Sequence, residues 1–271
     1  MDKNKISAIV ITKNEEGMIE ECLKSLMWCD EIILVDSGST DNTIQIAKKY
    51  GVKVFVAGTE KSFSGWRNRG LKESNNPWIL YIDADERVTP ELKKEINVVT
   101  NQLSRDIVSE ENAYAIPRKN IIFGKEFRHC GQSPDYVKRL FRKSELKGWE
   151  GELHEEPKFG GKIGHLKSSL VHIKHETITE MVEKTNMWSE IEAKLMYNAH
   201  HPKMNILRFA SAGLREFWLR FIIQLAFLDG IEGIIYGTYQ VFSRLVSYTK
   251  LWELQLTENR TGTAGKPGNK K

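Results

Sequence analysis

Hydrophobic and polar positions follow two alternating periods over roughly the first hundred residues. Short runs rich in β-branched residues, typical of buried strands, occupy residues 6–12, 31–36, 52–57 and 78–83. Between these runs, apolar residues recur at helical spacing, as at Ile19, Cys22, Leu23 and Leu26, and Pro90 suits the first turn of a further helix. This alternation predicts an α/β fold with a mainly parallel central sheet flanked by helices.

The period changes in the second half of the chain. Shorter, turn-punctuated segments between residues 113 and 174 favour further strands of mixed direction. Two helices rich in aromatic residues, separated near Asp229-Gly230, are predicted near the end, and charged residues interrupt them before any apolar run reaches the ~18 residues of a membrane span. Before them, a long amphipathic helix is predicted with one apolar side, formed by Ile178, Met181, Val182, Trp188, Ile191, Leu195 and Ala199.

The composition describes a globular chain with a small basic excess. Of the 271 residues, 40% are hydrophobic, which is enough for a substantial core. The net charge of +4 suits a phosphate-bearing or anionic-surface partner and does not require nucleic acid. Three cysteines without a C-x-x-C pair give neither a disulfide framework nor a zinc site, and the N-terminal residues leave no room for a signal peptide. We therefore expect a cytoplasmic protein with no nucleic-acid partner.

Acidic residues follow the fourth predicted strand, in "WILYIDADE". Ligands of open parallel sheets bind beyond the carboxyl ends of the strands, and side chains two residues apart on an extended chain lie on the same side, roughly 7 Å apart. Asp83 and Asp85 can therefore share a divalent cation, Mg²⁺ or Mn²⁺, with a bound diphosphate. The alternative is a solvated turn that caps the next helix, and Glu86 suits that role. At the end of a buried strand, we favour the metal.

Asp36 ends the second predicted strand and precedes a turn of small polar residues, "SGSTDNT". Its carboxylate can accept hydrogen bonds from a base or a ribose, and Ser37 and Gly38 allow close approach of the backbone. An ordinary turn with Ser39 or Thr40 as the helix N-cap is the alternative, and both can be true together. Neither a G-x-G-x-x-G nor a P-loop motif is present.

The basic run "KRLFRK" alternates as a strand does. Arg139 and Phe141 share one face, and Lys138, Leu140 and Arg142 share the other. The run favours two interpretations equally, a site for a phosphorylated acceptor and a solvated strand edge.

Four motifs stand in a specific order along the first half, "AIVITKNEE", "EIILVDSGSTDNT", "FSGWRNRGL" and "WILYIDADE". In this order and at this spacing they resemble glycosyltransferase family 2, whose members have the GT-A fold and transfer sugars from nucleotide-diphospho-sugars with inversion at the anomeric carbon. The later segments "KRLFRK", "GWEGELHEE", "VHIKHETI" and "FLDGIEG" are similar to the branch of bacterial lipopolysaccharide-core β-glucosyltransferases.

The resemblance implies where the donor binds. Thr12, Glu15 and Asp36, with Ser37 beside it, would hold the base and the ribose. Arg67 would lie near the nucleotide or the diphosphate, and Asp83 would contact the ribose or a metal-bound water.

The resemblance also implies the metal ligands and the base. Asp85 and His172 would ligate the Mg²⁺ or Mn²⁺, with His175 as the alternative to His172. Glu155, in "LHEE", would be the general base, with Glu156 as the second choice. An inverting transfer needs such a carboxylate to take the proton of the attacking hydroxyl, and a cation to neutralise the departing diphosphate.

Four segments are predicted on this basis. Residues 1–110 form the nucleotide-sugar-binding half of the GT-A domain, and residues 111–176 form its acceptor-binding, catalytic half. Residues 177–257 form a C-terminal helical extension, and residues 258–271 form a disordered tail.

The predicted function is metal-dependent inverting transfer of a hexose, with glucose preferred, from a UDP-sugar to a glycolipid or oligosaccharide acceptor in lipopolysaccharide or other cell-envelope glycan synthesis. A polyprenyl phosphate or a protein side chain is the alternative acceptor. An inactive membrane-surface scaffold would be expected to have lost the acidic cluster, which is intact. A sugar nucleotidyltransferase would need a Gly-rich basic loop where this chain has "TKNEE".

The aromatic and basic residues of the C-terminal helices predict a peripheral contact with the cytoplasmic face of the inner membrane. Packing of these helices on the catalytic domain, or on a second copy in a homo-oligomer, is the alternative.

Overall fold

A computed structural model describes residues 3–58, 60, 62–104, 111–151 and 155–263 of the chain. The chain forms two compact units. One comprises Met1–Asn120 and Pro134–Lys174, and the other comprises Ile121–Ser133 and His175–Lys271.

The elements follow the predicted alternation and then become more irregular. The strands are β1 (Ile6–Thr12), β2 (Glu31–Asp36), β3 (Lys53–Val56), β4 (Trp78–Asp83), β5 (Glu86–Val88), β6 (Glu111–Ile122), β7 (Lys125–Phe127), β8 (Tyr136–Arg142), β9 (Leu146–Glu150), β10 (Glu156–Phe159), β11 (Lys162–His165) and β12 (Leu170–His175). The helices are α1 (Ile19–Leu26), α2 (Thr43–Lys49), α3 (Phe63–Glu73), α4 (Pro90–Ser104), α5 (Ile178–Asn198), α6 (Ile206–Phe217) and α7 (Gly230–Thr263), with a π-helical turn at Trp218–Ile223 and a 3₁₀ turn at Ala226–Asp229.

The central sheet is parallel where the motifs lie. Strands β3, β2, β1 and β4 lie side by side in that order, and all of their pairings are parallel. Thr12 lies opposite Asp36, and Ile11 lies opposite Asp83, so the carboxyl ends of β1, β2 and β4 meet at one edge. Beyond β4 the order continues with β8, β6, β12 and β5, and the pairings of β8 with β4 and β6 are antiparallel. The prediction of mixed directions in the second half is confirmed.

The central strands are buried on both faces. Ala8 and Val10 belong to a core cluster that includes the apolar side of α1, whereas Ile9 and Tyr81 belong to a second cluster. Burial on both faces accounts for the continuous apolar runs in the sequence. The strands predicted at 6–12, 31–36 and 78–83 are confirmed at those bounds, and the one predicted at 52–57 spans Lys53–Val56.

Gly70 lets α3 lie close to β1. A β-carbon at residue 70 would lie 2.3 Å from Cγ2 of the buried Ile9, a distance that no side chain tolerates. This close approach fixes α3 on the sheet, and Arg67, one turn earlier on the same helix, is only 4% exposed. The glycine of the "FSGWRNRGL" motif therefore positions its arginine.

The second unit is helical around a small core. That core is formed by Ile122, Phe127, Cys130, Met181, Ala226 and Tyr236. α7 begins at Gly230, which confirms the predicted break between the two C-terminal helices. Within the described residues, none of the helices has the length and apolar character needed to span a membrane.

The helix predicted after residue 177 is present as α5, but its apolar side is mostly exposed. Of those seven residues only Met181 is buried, and the other buried positions of the helix are Ser189 and Ala193. α5 packs against α7 through polar pairs, because Tyr239 donates a hydrogen bond to Thr185 (2.7 Å) and other pairs follow along the helix. Small and polar side chains therefore face α7, and several of the apolar ones are exposed.

The segment limits predicted at residues 110 and 176 stay predictions. α7 runs to Thr263, and residues 264–271 of the predicted tail lie outside the described residues.

Candidate active site

The edge of the sheet at β1 and β2 carries the first group of predicted residues. Asp36 is fully buried, and its Oδ2 accepts hydrogen bonds from the backbone N–H groups of Gly38 and Ser39, both at 2.9 Å. The Ser39 hydroxyl donates to the other carboxylate oxygen of Asp36. Gly38 has φ +103°, which favours glycine, so Asp36 holds a tight turn directly beyond β2.

The predicted N-cap of α2 is wrong. The helix begins at Thr43, and its N-cap is Asn42 rather than Ser39 or Thr40. Ser39 instead accepts a hydrogen bond from the backbone N–H of Asn14 (2.8 Å) and joins the turn to the loop after β1. The turn therefore has a role beyond starting the helix.

Thr12, Glu15 and Ser37 lie at the same edge. The backbone N–H of Ser37 donates to the carbonyl oxygen of Thr12 (3.0 Å), and the backbone N–H of Glu15 donates to the hydroxyl of Thr43 (2.8 Å). The Thr12 side chain is 3% exposed, and its hydroxyl has no hydrogen-bond partner among the described residues. A buried hydroxyl without a partner is costly unless a ligand satisfies it.

Asp83 lies between two arginines at the end of β4. Nη2 of Arg67 donates to Oδ1 of Asp83 (3.1 Å), and Arg139 forms an ion pair with Oδ2. Burial alone would raise the pKa of Asp83, but Arg139 and Arg67 hold that pKa well below its usual range. Asp83 therefore stays ionised, and its side chain is still 34% exposed.

Glu86 has a different place from the one predicted. It belongs to β5 and is 0% exposed, so it does not cap a helix. Arg139 donates to its Oε1 (2.7 Å), Arg118 lies 3.4 Å from the same oxygen, and the backbone N–H of Asp83 donates to its Oε2 (3.0 Å). Burial would lower the pKa of Arg139, but Asp83 and Glu86 raise it further. The crowded acids are thus neutralised by buried arginines.

Arg139 and Arg118 lie at the candidate site beside Glu86, although neither was among the predicted site residues. Arg139 is 4% exposed, so the interpretation of "KRLFRK" as a solvated edge is wrong for this side chain. Its alternation with the buried Phe141 was the signal, since a strand residue two positions from a core residue points to the same side. Arg118 gave no such signal. The sequence predicted strands in this region but did not show which residues of β6 face the same side.

Asp85 and His172 lie together, as the resemblance implies. Nε2 of His172 is 3.4 Å from Oδ2 of Asp85, close enough for one cation to contact both. Nδ1 of His172 lies 2.6 Å from Oδ1 of Asn120, which can only accept, so Nδ1 donates to Asn120 and Nε2 is the nitrogen that faces Asp85. Asn120 donates in turn to Asp135 (2.9 Å), which fixes its orientation.

The donor set around Asp85 fits a divalent cation. Its Oδ1 is buried and has no hydrogen-bond partner among the described residues. A carboxylate oxygen and an imidazole nitrogen are ligands that Mn²⁺ accepts, and a carboxylate with phosphate oxygens suits Mg²⁺. No cluster of three or more His, Cys, Asp or Glu side chains suited to a metal occurs in the described part of the chain, so this pair would need oxygens from a ligand or water. The alternative ligand His175 lies 3.7 Å from Glu180 and near the ring of Tyr236.

Glu155 is bound to the same arginine as Asp83. Nε of Arg67 donates to its Oε1 (2.8 Å), while its Oε2 is buried and has no partner within the described ranges. The guanidinium of Arg67 lies over the ring of Trp149, with 4.7 Å to the centroid, which fixes its position further. Glu156 is exposed and pairs with Lys138 (2.7 Å). Leu153 and His154 of "LHEE" lie outside the described residues.

These side chains surround a cavity of about 330 Å³. Its charged and aromatic lining comprises Arg67, Asp83, Arg118, Tyr136, Lys138, Arg139, Trp149, Glu155 and Glu156. The cavity therefore combines buried arginine side chains with the carboxylate of Glu155, whose Oε2 has no hydrogen-bond partner among the described residues.

Comparisons with known proteins identify the family. The model of Glycosyl transferase family 2 matches residues 7–120. An uncharacterized glycosyltransferase of Rickettsia bellii is 32% identical over 263 residues, covering 94% of this chain and 88% of that protein. The lipopolysaccharide core biosynthesis glycosyltransferase LpsC of Rhizobium meliloti is 29% identical over 199 residues, covering 69% of this chain and 70% of LpsC. The chain therefore belongs to glycosyltransferase family 2, and the resemblance of its motifs is confirmed.

The predicted fold class is confirmed as well. The sheet is parallel at its centre, helices flank it, and the last element of the described residues is the long helix α7. Among solved structures, a complex of glucosyl-3-phosphoglycerate synthase from Mycobacterium tuberculosis with Mn²⁺, uridine diphosphate and glucosyl-3-phosphoglycerate covers 73% of this chain and 81% of that one, at a TM-score of 0.46 and 16% identity. That likeness is too weak to support a statement about the ligands of this chain.

Proposed function

We propose that this glycosyltransferase transfers a hexose, with glucose preferred, from a UDP-sugar to a saccharide acceptor of lipopolysaccharide or another cell-envelope glycan, with inversion at the anomeric carbon. One observation carries the proposal. Oδ1 of Asp85 and Oε2 of Glu155 are both buried and unpartnered among the described residues, and each belongs to the group of side chains around the end of β4. Oδ1 of Asp85 can bind a cation, and Oε2 of Glu155 can accept a proton.

The donor is proposed to bind along the edge formed by β1, β2 and β4. Thr12, Glu15, Asp36 and Ser37 would hold the base and the ribose. The tight turn held by Asp36 brings backbone close to the ligand, and the Thr12 hydroxyl is a buried group that a ligand can satisfy. The side chain of Asp83 is 34% exposed and would contact the ribose or a metal-bound water there. Its ion pairs with Arg67 and Arg139 would remain.

Asp85 and His172 would hold Mg²⁺ or Mn²⁺. When bound, the cation would supply positive charge against the diphosphate as the bond to the sugar breaks. Asn120 would keep Nε2 of His172 directed at that position through the hydrogen bond to Nδ1.

Glu155 would act as the general base. Arg67 holds its Oε1 and leaves Oε2 for the hydroxyl of the acceptor, so the carboxylate is oriented before the acceptor arrives. The proton of the attacking hydroxyl would pass to Oε2 as the oxygen attacks the anomeric carbon. Positioned general-base help of this kind is typically worth 10²–10⁴-fold in rate.

A screen of sugar nucleotides tests the function. The full chain is incubated with UDP-, GDP- and ADP-sugars and either Mn²⁺ or Mg²⁺, with and without saccharide acceptors, and released nucleotide is measured. We expect release from UDP-hexoses that depends on the cation and increases with a lipopolysaccharide-core acceptor. Stimulation by a polyprenyl phosphate or a peptide in place of the saccharide would move the acceptor to another class. Absence of release with every sugar nucleotide would support the inactive scaffold and reject the proposal.

A further inference from the structure

The second unit exposes a large apolar surface. Of the 27 large hydrophobic residues that are exposed in the described part of the chain, 15 lie between residues 206 and 235. The most exposed of them are Ile206 (83%), Leu207 (76%), Leu214 (69%), Ile231 (63%), Ile223 (62%) and Trp218 (59%). Single exposed apolar residues are ordinary, but a concentration of this kind marks an interaction surface.

Helix α6 shows how this surface is oriented. Ala212 and Glu216 are its buried residues, four positions apart, and they mark the side that packs against α7. Leu214 is two positions from each of them, about 200° around a helix, so it points directly away from the packed side. Leu207 lies seven positions before Leu214 and shares its side. The outward side of α6 is therefore apolar.

The charges beside this apolar side are all basic. Arg208 and Arg215 are seven positions apart, each one step from a leucine of the outward side, and both are exposed. The two acids between Lys203 and Gly230, all of whose residues are described, are both buried. Glu216 pairs with Arg220 (2.7 Å), and Asp229 accepts from the backbone N–H of His129 (2.9 Å). The exposed charge of this stretch is consequently positive.

We propose that the exposed side chains of residues 203–235, here called the apolar-basic surface, dock this protein on an anionic lipid bilayer. The apolar side chains would insert beneath the headgroups, and Lys203, Arg208 and Arg215 would contact the phosphates, as in helices that lie in a membrane interface. The proposed contact is a peripheral one, made by side chains of the helix surfaces. The inference concerns attachment only, so it stands or falls separately from the proposed transfer reaction.

A second copy of the chain fits this surface less well. In a two-fold symmetric interface the same patch meets itself, which would bring Arg208 and Arg215 of both copies to one apolar contact. The stretch between Lys203 and Gly230 offers no exposed acid to neutralise them. Glu232, which is 33% exposed, already pairs with Lys125 (3.0 Å). A lipid surface with negative headgroups satisfies both the apolar and the basic side chains.

Vesicle co-sedimentation of the full chain tests the proposal. Vesicles containing phosphatidylglycerol are compared with vesicles of phosphatidylcholine alone, at low and high salt. The triple variant L214S/W218S/I223S removes three of the most exposed apolar side chains. The control M27S/V56S/V98S removes side chains of the first unit that are 53%, 60% and 53% exposed, so both variants change exposed positions only. The variant R208Q/R215Q removes two of the basic charges.

We expect the full chain to bind the anionic vesicles, and salt to weaken that binding. L214S/W218S/I223S should lower the partition coefficient at least about tenfold, R208Q/R215Q should lower it about thirtyfold, and the control should leave it within about twofold. The circular dichroism spectrum and the urea midpoint of each variant check that it is folded.

Three outcomes would overturn the proposal. They are absence of binding to anionic vesicles, equal binding to both kinds of vesicle, and an equal loss in the control variant. Sedimentation velocity without lipid distinguishes lipid docking from self-association. If the wild type is a dimer and L214S/W218S/I223S is a monomer, the surface serves self-association instead.

Discussion

Replacing Glu86 by glutamine removes a negative charge from a fully buried position. Glu86 is 0% exposed and faces Arg139 at 2.7 Å and Arg118 at 3.4 Å. Glutamine keeps the size of the side chain and one acceptor oxygen, so the change isolates the charge. Arg139 would keep Asp83 as a partner but would lose half of its neutralising charge.

The structure sets the expected magnitude. Removing one member of a buried ion pair costs about 3–5 kcal/mol, because the other charge is left buried without compensation. Since Arg139 retains Asp83, we expect the lower end, a loss of about 3 kcal/mol in the free energy of unfolding. The same substitution at Glu156 is the matched control, because Glu156 pairs with Lys138 at the same 2.7 Å but its side chain is 63% exposed. E156Q should cost no more than about 1 kcal/mol.

Urea unfolding of the full chain, followed by circular dichroism and tryptophan fluorescence, gives both free energies. We expect the midpoint of E86Q to fall well below that of E156Q at an unchanged slope. If the losses in unfolding free energy of E86Q and E156Q differ by less than about 1 kcal/mol, burial does not strengthen the ion pairs of Glu86.

Three further predictions concern the site and the helix that supports it. E155Q should lower kcat by about 10²–10⁴-fold and leave the KM for the donor largely unchanged, because the base acts on the acceptor; steady-state kinetics checks this, and a near-normal kcat would remove Glu155 from its role. The lowered pKa of Asp83 means that its contribution to stability is present above the ordinary Asp pKa of ~3.9 and is lost as the pH falls below it. The difference in unfolding free energy between wild type and D83N should therefore shrink below about pH 4 in urea titrations, and a constant difference would contradict the ion pairs. G70A should cost about 1–3 kcal/mol, because its β-carbon would meet Ile9; an unchanged urea midpoint would show that α3 can move away from the sheet.

The central strands were predictable because their environment is simple. A parallel strand buried on both faces needs an unbroken apolar run, and residues 6–12, 31–36 and 78–83 meet that requirement. The same logic places Asp36 and Asp83 at one edge of the sheet, since both end such strands. Gly70, in contrast, is explained only when its distance from Ile9 is known.

The partners of the acidic cluster were not predictable in the same way. Arg139 lies 53 residues after Glu86 in the chain, and it reaches that carboxylate only because β8 pairs with β4 in one particular register. A sequence pattern carries the period of a strand but not its register against a distant one. From the sequence, a helix cap was therefore an open alternative for Glu86, and Arg139 stood equally between a site for a phosphorylated acceptor and a solvated strand edge.

Helix α5 shows a different limit. Its helical period was visible, and the helix is present at Ile178–Asn198. Burial of apolar area usually decides which side of a helix packs against its neighbours. Here polar pairs such as Thr185 with Tyr239 occupy the contact with α7, and the apolar residues Val182 and Trp188 are left exposed.

Binding of Mn²⁺ in the presence of UDP tests the central claim most directly. Free Mn²⁺ is measured by electron paramagnetic resonance while the full chain is titrated, for the wild type, D85N and a matched change at an exposed acid, E156Q. We expect UDP and the wild type to bind Mn²⁺ together, D85N to weaken this binding by at least about tenfold, and E156Q to leave it unchanged. Wild-type affinity for Mn²⁺ in D85N would contradict the claim that Asp85 and His172 hold the cation that neutralises the diphosphate of the donor.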